Sequence, residues 1–196
     1  MKIYLHRCNS RASLEMALSH YGVEIDVRTF GNRLVVSHDP FQDTITFAEL
    51  LNYYHHDGII INVKEEGLES RIVGELLSRK ISNFLFLDQS FPFMIRSLRQ
   101  GLAAHVACRV SDLESEMTLM NLNPTPAYVW CDSFTGEWGY LSELLLKLVE
   151  LPTTPIIVSP ELHGRDGFEE VEQVKALLLR YPKTASVCTK LPRLWS

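Results

Sequence analysis

The chain has 196 residues, 46% hydrophobic and 22% charged, which predicts one globular domain over residues 1–196 with a core of its own. Nineteen basic residues against 24 acidic ones give a net charge of -5, which argues against nucleic acid as a partner but allows a small anionic substrate in a locally positive pocket. No apolar run reaches the roughly 18 residues that span a bilayer, so no integral membrane segment is expected.

In chain order, the start Met1-Lys2-Ile3-Tyr4-Leu5-His6 already reads as a strand without a signal-peptide core, so a cytoplasmic protein is expected. Strand-like runs fall at 3–6, 23–27, 59–63, 84–87, 106–110, 128–131, 156–159 and 186–189. Helix-like segments fall between them. The first is 12–21, and the second, 47–54, follows a Thr46 cap. The third, 68–79, places Leu68, Ile72, Leu76 and Leu77 on one side. Then come 93–99, 112–120 behind Ser111 as N-cap, 141–149 and 168–179. Eight βα units in order predict an α/β fold, a compact (β/α)8 TIM barrel. An open doubly wound sheet is the alternative. It normally shows a Gly-rich first turn, and here that turn reads His6-Arg7-Cys8-Asn9. The chain lies near the lower size limit of about 200 residues for a barrel, so its loops must be short. The exception is the second unit, where a turn at Gly31-Asn32 and the run Leu34-Val35-Val36 predict a small hairpin extension before His38.

Cys8, Cys108, Cys131 and Cys188 are widely spaced without a CxxC pair and read as buried thiols in a reducing compartment. The apolar runs finish in polar residues: His6, Asp26, Asn62 and Lys64, Asp88, Arg109, Asp132, Glu161 and Thr189. In a barrel these ends gather at one rim, where active sites form. Taken singly, Asp88 and Asp132 read as N-caps of the next helix.

Glu24 and Asp26 stand two apart in Gly22-Val23-Glu24-Ile25-Asp26-Val27, so a strand turns both carboxylates to one face. Two acids so placed repel unless something positive lies between them, and a hard divalent cation is the usual solution. His6 and His38 bracket the pair. One base and one acid beside such a cation is what phosphodiester cleavage needs. His55-His56-Asp57 also looks metal-like, but it follows a short helix and precedes a strand, and reads as a solvated loop at the opposite rim.

At these residues the sequence resembles the glycerophosphodiester phosphodiesterase family, within the barrel phosphodiesterases related to phosphatidylinositol-specific phospholipase C. That family begins with a strand ending in His-Arg-Gly, continues to Glu-x-Asp, a Gly-containing turn and His-Asp, then Glu-x-Lys. Here the order recurs over about the first third, as LHRCNSRASLEMALSHYGVEIDVRTFGNRLVVSHDPF and IIINVKEEGLE. Later segments, including Cys108-Arg109-Val110-Ser111, Val129-Trp130-Cys131-Asp132 and VSPELHGRD, resemble a bacterial branch of the superfamily.

The resemblance implies a hydrolase of lipid-derived phosphodiesters. His6 and His38 would be its acid and base, in either order. Glu24 and Asp26 would be ligands of Mg²⁺ or Ca²⁺, Arg7 a phosphate contact and Lys64 the lysine of the third motif. Asn62 stands where the family has a third metal-binding glutamate; it serves as a neutral ligand, or Asp88 supplies the missing carboxylate. Cys8 replaces the glycine after His-Arg. Arg109, Trp130, Glu161, His163 and Arg165 are candidate substrate contacts, with a structural loop network the competing reading for the last three and simple packing for Trp130. The expected partner is a small, water-soluble phosphodiester. The alternatives are a barrel that binds a phosphate ester or sugar phosphate without cleaving it, and a different diester such as a lysophospholipid or a sugar-phosphate polymer precursor.

Overall fold

A computed structural model describes residues 1–196. The elements run β1 (Lys2–Leu5), α1 (Arg11–Met16), β2 (Gly22–Phe30), β3 (Arg33–Val36), α2 (Phe47–Leu50), β4 (Ile59–Val63), α3 (Glu69–Ser78), β5 (Phe84–Leu87) and α4 (Phe91–Arg99). They continue with β6 (Ala107–Ser111), α5 (Met117–Met120), β7 (Tyr128–Asp132), α6 (Gly139–Leu148), β8 (Thr154–Val158), α7 (Phe168–Leu178) and β9 (Ser186–Thr189). The strand order is β5-β4-β2-β1-β9-β8-β7-β6, with β3 beside β2. The pairs β1–β2, β2–β4, β4–β5, β6–β7, β7–β8 and β8–β9 are all parallel. Eight parallel strands with seven intervening helices are the (β/α)8 class the alternation predicts; a 3₁₀ turn, Pro192–Leu194, stands where an eighth helix would follow β9.

The chain divides into two compact units, Tyr4–Ser97 and Met1–Ile3 with Leu98–Ser196. In the first, β2 lies between β1 and β4. Both of its faces are buried through Val27: Val23, Ile25 and Val27 at 0%, Glu24 at 1% and Asp26 at 0% exposure. Such burial excludes a solvent-facing acidic pair. The predicted hairpin forms, with Phe30 opposite Arg33 and only Gly31-Asn32 between. Gly31 takes φ 58° while Asn32 does not turn left-handed, the pattern of a II′ turn, whose first central position suits glycine. Gly22 starts β2 against the ring of Tyr4; a Cβ there would sit 2.3 Å from Tyr4 Cδ1. Because Tyr4 is buried, Gly22→Ala forces a buried ring aside and is expected to cost ~1–3 kcal/mol in urea denaturation.

Four local expectations are corrected. Helix α1 stops at Met16 rather than Tyr21 because a distant side chain takes its last carbonyls. His56 Nε2 lies 3.1 Å from Leu14 O and 3.3 Å from Ala17 O. His56 is therefore buried rather than solvated, and burial holds it below the usual histidine range. The helix expected over 112–120 begins only at Met117. Ser111 Oγ accepts from Leu113 N (3.1 Å) and Glu114 N (3.0 Å) in a turn and caps no helix, since Glu116 is the N-cap of α5, and Asp112 turns to the next loop, accepting from Phe134 N at 2.9 Å and Thr135 N at 2.8 Å. Residues 112–116 thus serve a loop instead of extending a helix. Nor does Asp132 cap the next helix, which starts at Gly139.

All four cysteines are free and buried. Burial pushes the Cys8 thiol up to about 12 and Cys108 to about 11, so both resist ionisation.

Candidate active site

The site builds from the ends of β1, β2, β3 and β4. Along β2 the period of two sets Glu24, Asp26 and Arg28 on one face. Asn62 of β4 is the register partner of Asp26, so its side chain shares that face. The turn after β1 wraps back over β2. Arg7 takes φ 54°, and its backbone N donates to Glu24 Oε2 at 2.7 Å, while Cys8 N donates to Glu24 O at 2.7 Å. The left-handed residue is Arg7 and not Cys8, so the missing glycine at position 8 leaves the backbone approach intact.

Side chains complete the constellation within this unit. His6 Nε2 lies 3.8 Å from Glu24 Oε2. An Arg7 guanidinium nitrogen lies 2.7 Å from His38 Nε2, and its Nε lies 3.9 Å from Asp26 Oδ2. On the other side of the ring, His38 Nδ1 lies 2.8 Å from Asp39 Oδ1. Lys64 Nζ lies 3.0 Å from Asp26 Oδ1. The structure thus brings together His6, Arg7, Glu24, Asp26, His38 and Lys64. Asp88, at φ 58° just after β5, is close enough for its charge to act on Glu24.

Glu24 is raised to about 8, first by burial, then by the charge of Asp26; the Arg7 N–H and Lys64 pull the other way, and Asp88 adds to the rise. Three oxygens here are buried without a hydrogen bond, Glu24 Oε1, Asn62 Oδ1 and Asp26 Oδ1, the last of which has Lys64 Nζ at 3.0 Å as its ion-pair partner. Unsatisfied oxygens at adjacent strands are a donor set that fits a hard cation. No three His, Cys, Asp or Glu side chains in the chain are grouped to hold a metal, and the residue paired in register with Asp26 is the neutral Asn62.

Asn9 and Arg28 escaped the sequence reading, and Asp39 entered it only as the second half of the His-Asp motif. Asn9 grips Asp26 twice: its Nδ2 donates to Oδ2 at 2.6 Å and its Oδ1 accepts from Asp26 N at 2.9 Å. Arg28 donates to Ser37 O at 3.3 Å and His38 O at 3.1 Å, fixing the segment that presents His38. Asp39 orients the His38 ring. Arg28 was legible from the i, i+2, i+4 face it shares with the acids; the reach of Asn9 depends on the left-handed turn at Arg7.

The residues expected from the second half form a network of their own in the other unit. Asp132, 2% exposed, accepts from Arg109 and lies 2.6 Å from His163 Nε2. Arg165 donates to Ser133 O at 3.0 Å and pairs with Glu170 at 2.8 Å. Glu161 accepts from Ser159, from Thr189 Oγ1 at 2.5 Å and from Lys190 N at 3.0 Å. Trp130 is 4% exposed and packs. These contacts tie consecutive strand ends together.

No family model matches the chain, and no curated protein matches its sequence. Solved structures do match its fold. The glycerophosphodiester phosphodiesterase of Thermotoga maritima superposes with a TM-score of 0.70 at 16% identity, over 98% of this chain and 96% of that one. That of Agrobacterium tumefaciens str. C58 gives 0.67 at 13%, over 100% and 98%. An Oleispira antarctica phosphodiesterase in complex with the product sn-glycerol-3-phosphate gives 0.66 at 13%, over 100% and 95%. The chain therefore has the fold of the glycerophosphodiester phosphodiesterases, across essentially its whole length and theirs.

Proposed function

We propose that the chain is a phosphoric diester hydrolase of the glycerophosphodiester phosphodiesterase type, cleaving a small phosphodiester with two histidines. What carries this reading is the meeting inside one unit of His6 with Glu24, of Arg7 with both His38 and Asp26, and of Lys64 with Asp26. The likeness in fold to three phosphodiesterases, one of them holding glycerol phosphate, supports it.

Arginine donates hydrogen bonds and never accepts them. The His38 nitrogen facing Arg7 therefore carries a lone pair, and the ring proton sits on Nδ1, directed at Asp39. That tautomer turns toward Arg7 the lone pair a general base needs. A phosphate drawing Arg7 to itself frees Nε2 for a substrate hydroxyl. His38 takes that proton as the oxygen attacks phosphorus, the bond to the leaving alkoxide breaks and His6 gives it a proton, leaving a cyclic phosphodiester; water then opens the ring with the two proton transfers reversed, giving the phosphomonoester. Arg7 and Lys64 share Asp26 in the free protein and are the groups that hold the phosphate charge.

Glu24, Asp26 and Asn62 would hold Mg²⁺ or Ca²⁺. When bound, such an ion polarises a phosphate oxygen and lowers the pKa of a hydroxyl it touches. A second reading, binding of a phosphate ester without cleavage, is favoured by Asn62, which leaves the site one carboxylate short. The two separate on two measurements. Turnover of glycerophosphocholine by the unmodified protein supports the hydrolase, and its absence supports the binder. Asn62→Glu is expected to tighten Mg²⁺ or Ca²⁺ binding by on the order of tenfold in calorimetry, since ligand charge tunes such sites; unchanged affinity removes Asn62 from the ligand set.

A further inference from the structure

A cleft of about 470 Å³ opens between the β2–β3 hairpin, the start of α2 and the first half of α3. Its volume lies within the range of about 300–1,000 Å³ that small-molecule sites occupy. All the residues that line it belong to the unit Tyr4–Ser97, and none is part of the candidate active site. Leu34 and Ala48 form apolar wall, and α3 contributes Ser70, Arg71 and Gly74, which the helical period sets on one face. Gly74 is out of place on local grounds. It sits inside a helix, where only proline is a poorer helix former. Neither space nor backbone conformation requires it: a Cβ there would meet no atom within 4 Å, and its φ is not positive. The bare backbone instead faces the open cleft, an arrangement that lets a ligand approach closely.

The charges around the cleft are unevenly matched. Arg33 holds Asp43 at 2.6 Å, and Arg79 holds Glu75 at 2.6 Å. Glu49 turns back onto its own helix cap, accepting from Thr46 Oγ1 at 2.6 Å. Arg71 has a neutral partner instead, donating to Asn32 O at 2.7 Å. That bond sets the Arg71 guanidinium beside the residue that precedes Arg33, so arginines from two different elements flank one opening.

We infer that this cleft binds a phosphomonoester, with Arg71 and Arg33 on the phosphate and the organic part against Leu34, Ala48 and the bare face of Gly74. A guanidinium that holds a neutral carbonyl gains by exchanging it for a phosphate, because hydrogen bonds between charged groups are about twice as strong as neutral ones. Its planar fork takes two phosphate oxygens at once. The Ser70 hydroxyl, one residue before Arg71, adds a donor on the same wall. Inorganic phosphate alone would leave much of the cleft empty, so the ligand carries a ring or sugar. A sugar phosphate and a mononucleotide share this chemistry. The site is separate from the two histidines, and the inference does not rest on the hydrolase reading.

The test is calorimetric titration with AMP and with glucose 6-phosphate, made in Arg7→Ala so that the phosphate contact of the candidate active site is absent. At least one of the two should bind, one molecule per chain, and the tighter of them tells nucleotide from sugar. Adding Arg71→Ala should weaken that binding by about tenfold or more, the effect of losing hydrogen bonds to a charged group. Adding Gly74→Leu should abolish it by filling the cleft. The same change should raise Tm, since leucine is the better helix former and meets open space there, so loss of binding with a raised Tm is loss of the site and not of the fold. Adenosine and glucose, which lack the phosphate, should not bind. Failure of both phosphomonoesters to bind overturns the inference, as does binding that survives Arg71→Ala and Gly74→Leu alike. Adenosine binding as tightly as AMP also overturns it. Binding lost in both added variants upholds the site even in a protein that turns over no diester.

Discussion

His38→Ala and His6→Ala are each expected to lower phosphodiester turnover by about 10²–10⁴-fold, the span that positioned proton transfer contributes. The two losses should differ in character. His38 acts on the attacking hydroxyl, so its loss falls equally on substrates with good and poor leaving groups. His6 acts on the departing oxygen, so its removal should be nearly harmless for a p-nitrophenyl diester and severe for a glycerol or choline diester. Steady-state rates on the two substrate types give both comparisons at once. The fold should survive each change, since the His38 side chain is 40% exposed and its partners Arg7 and Asp39 are exposed as well. Equal sensitivity of both variants to leaving group would reverse or dissolve the assignment of roles.

The second large effect is a pH dependence of stability in the cation-free protein. Burial and the neighbouring Asp26 raise Glu24 to about 8, against an ordinary value of 4.5. The folded protein therefore holds a proton on Glu24 that the unfolded chain has already released. A raised carboxyl stabilises fully below its unfolded pKa and loses that contribution as pH climbs through its folded one. Thermal stability should accordingly fall as pH rises from about 4.5 to about 8, the span set by the two Glu24 values. The groups facing Glu24 set the span of the fall: Asp26 and Asp88 carry it to higher pH, while the Arg7 N–H and Lys64 hold it back. Glu24→Gln keeps the shape without the titration and should flatten the profile. Adding Mg²⁺ or Ca²⁺ at high pH should restore the lost stability, because an ion bound only by the folded state stabilises by mass action. A decline identical in Glu24→Gln would place its origin elsewhere.

The parallel strands were legible because each is a short apolar run, and a strand buried on both faces needs no long-range information to be recognised. The hairpin was legible from Gly31-Asn32, whose chemistry selects the turn. The acidic pair and its histidines were legible because residue types two apart on a strand declare a shared face. What was not legible depended on partners far along the chain. Nothing near Met16 says that His56, forty residues on, will donate to the carbonyls at the end of α1. Nothing near Asp112 says that the 133–135 loop will claim its carboxylate. The Asp132 network also needs Arg109 and His163 from neighbouring strand ends, so a local reading took it for a helix cap. Asn9 was overlooked because its value lies in a backbone conformation two residues earlier.

The most direct measurement is phosphorus NMR of glycerophosphocholine incubated with the purified protein, before and after chelation and after return of Mg²⁺ or Ca²⁺. A phosphodiester hydrolase built on Glu24, Asp26 and Asn62 should convert the diester resonance to a phosphomonoester, stop on chelation and resume with the ion. A diester resonance that persists in every condition, or a conversion indifferent to chelation, would contradict it.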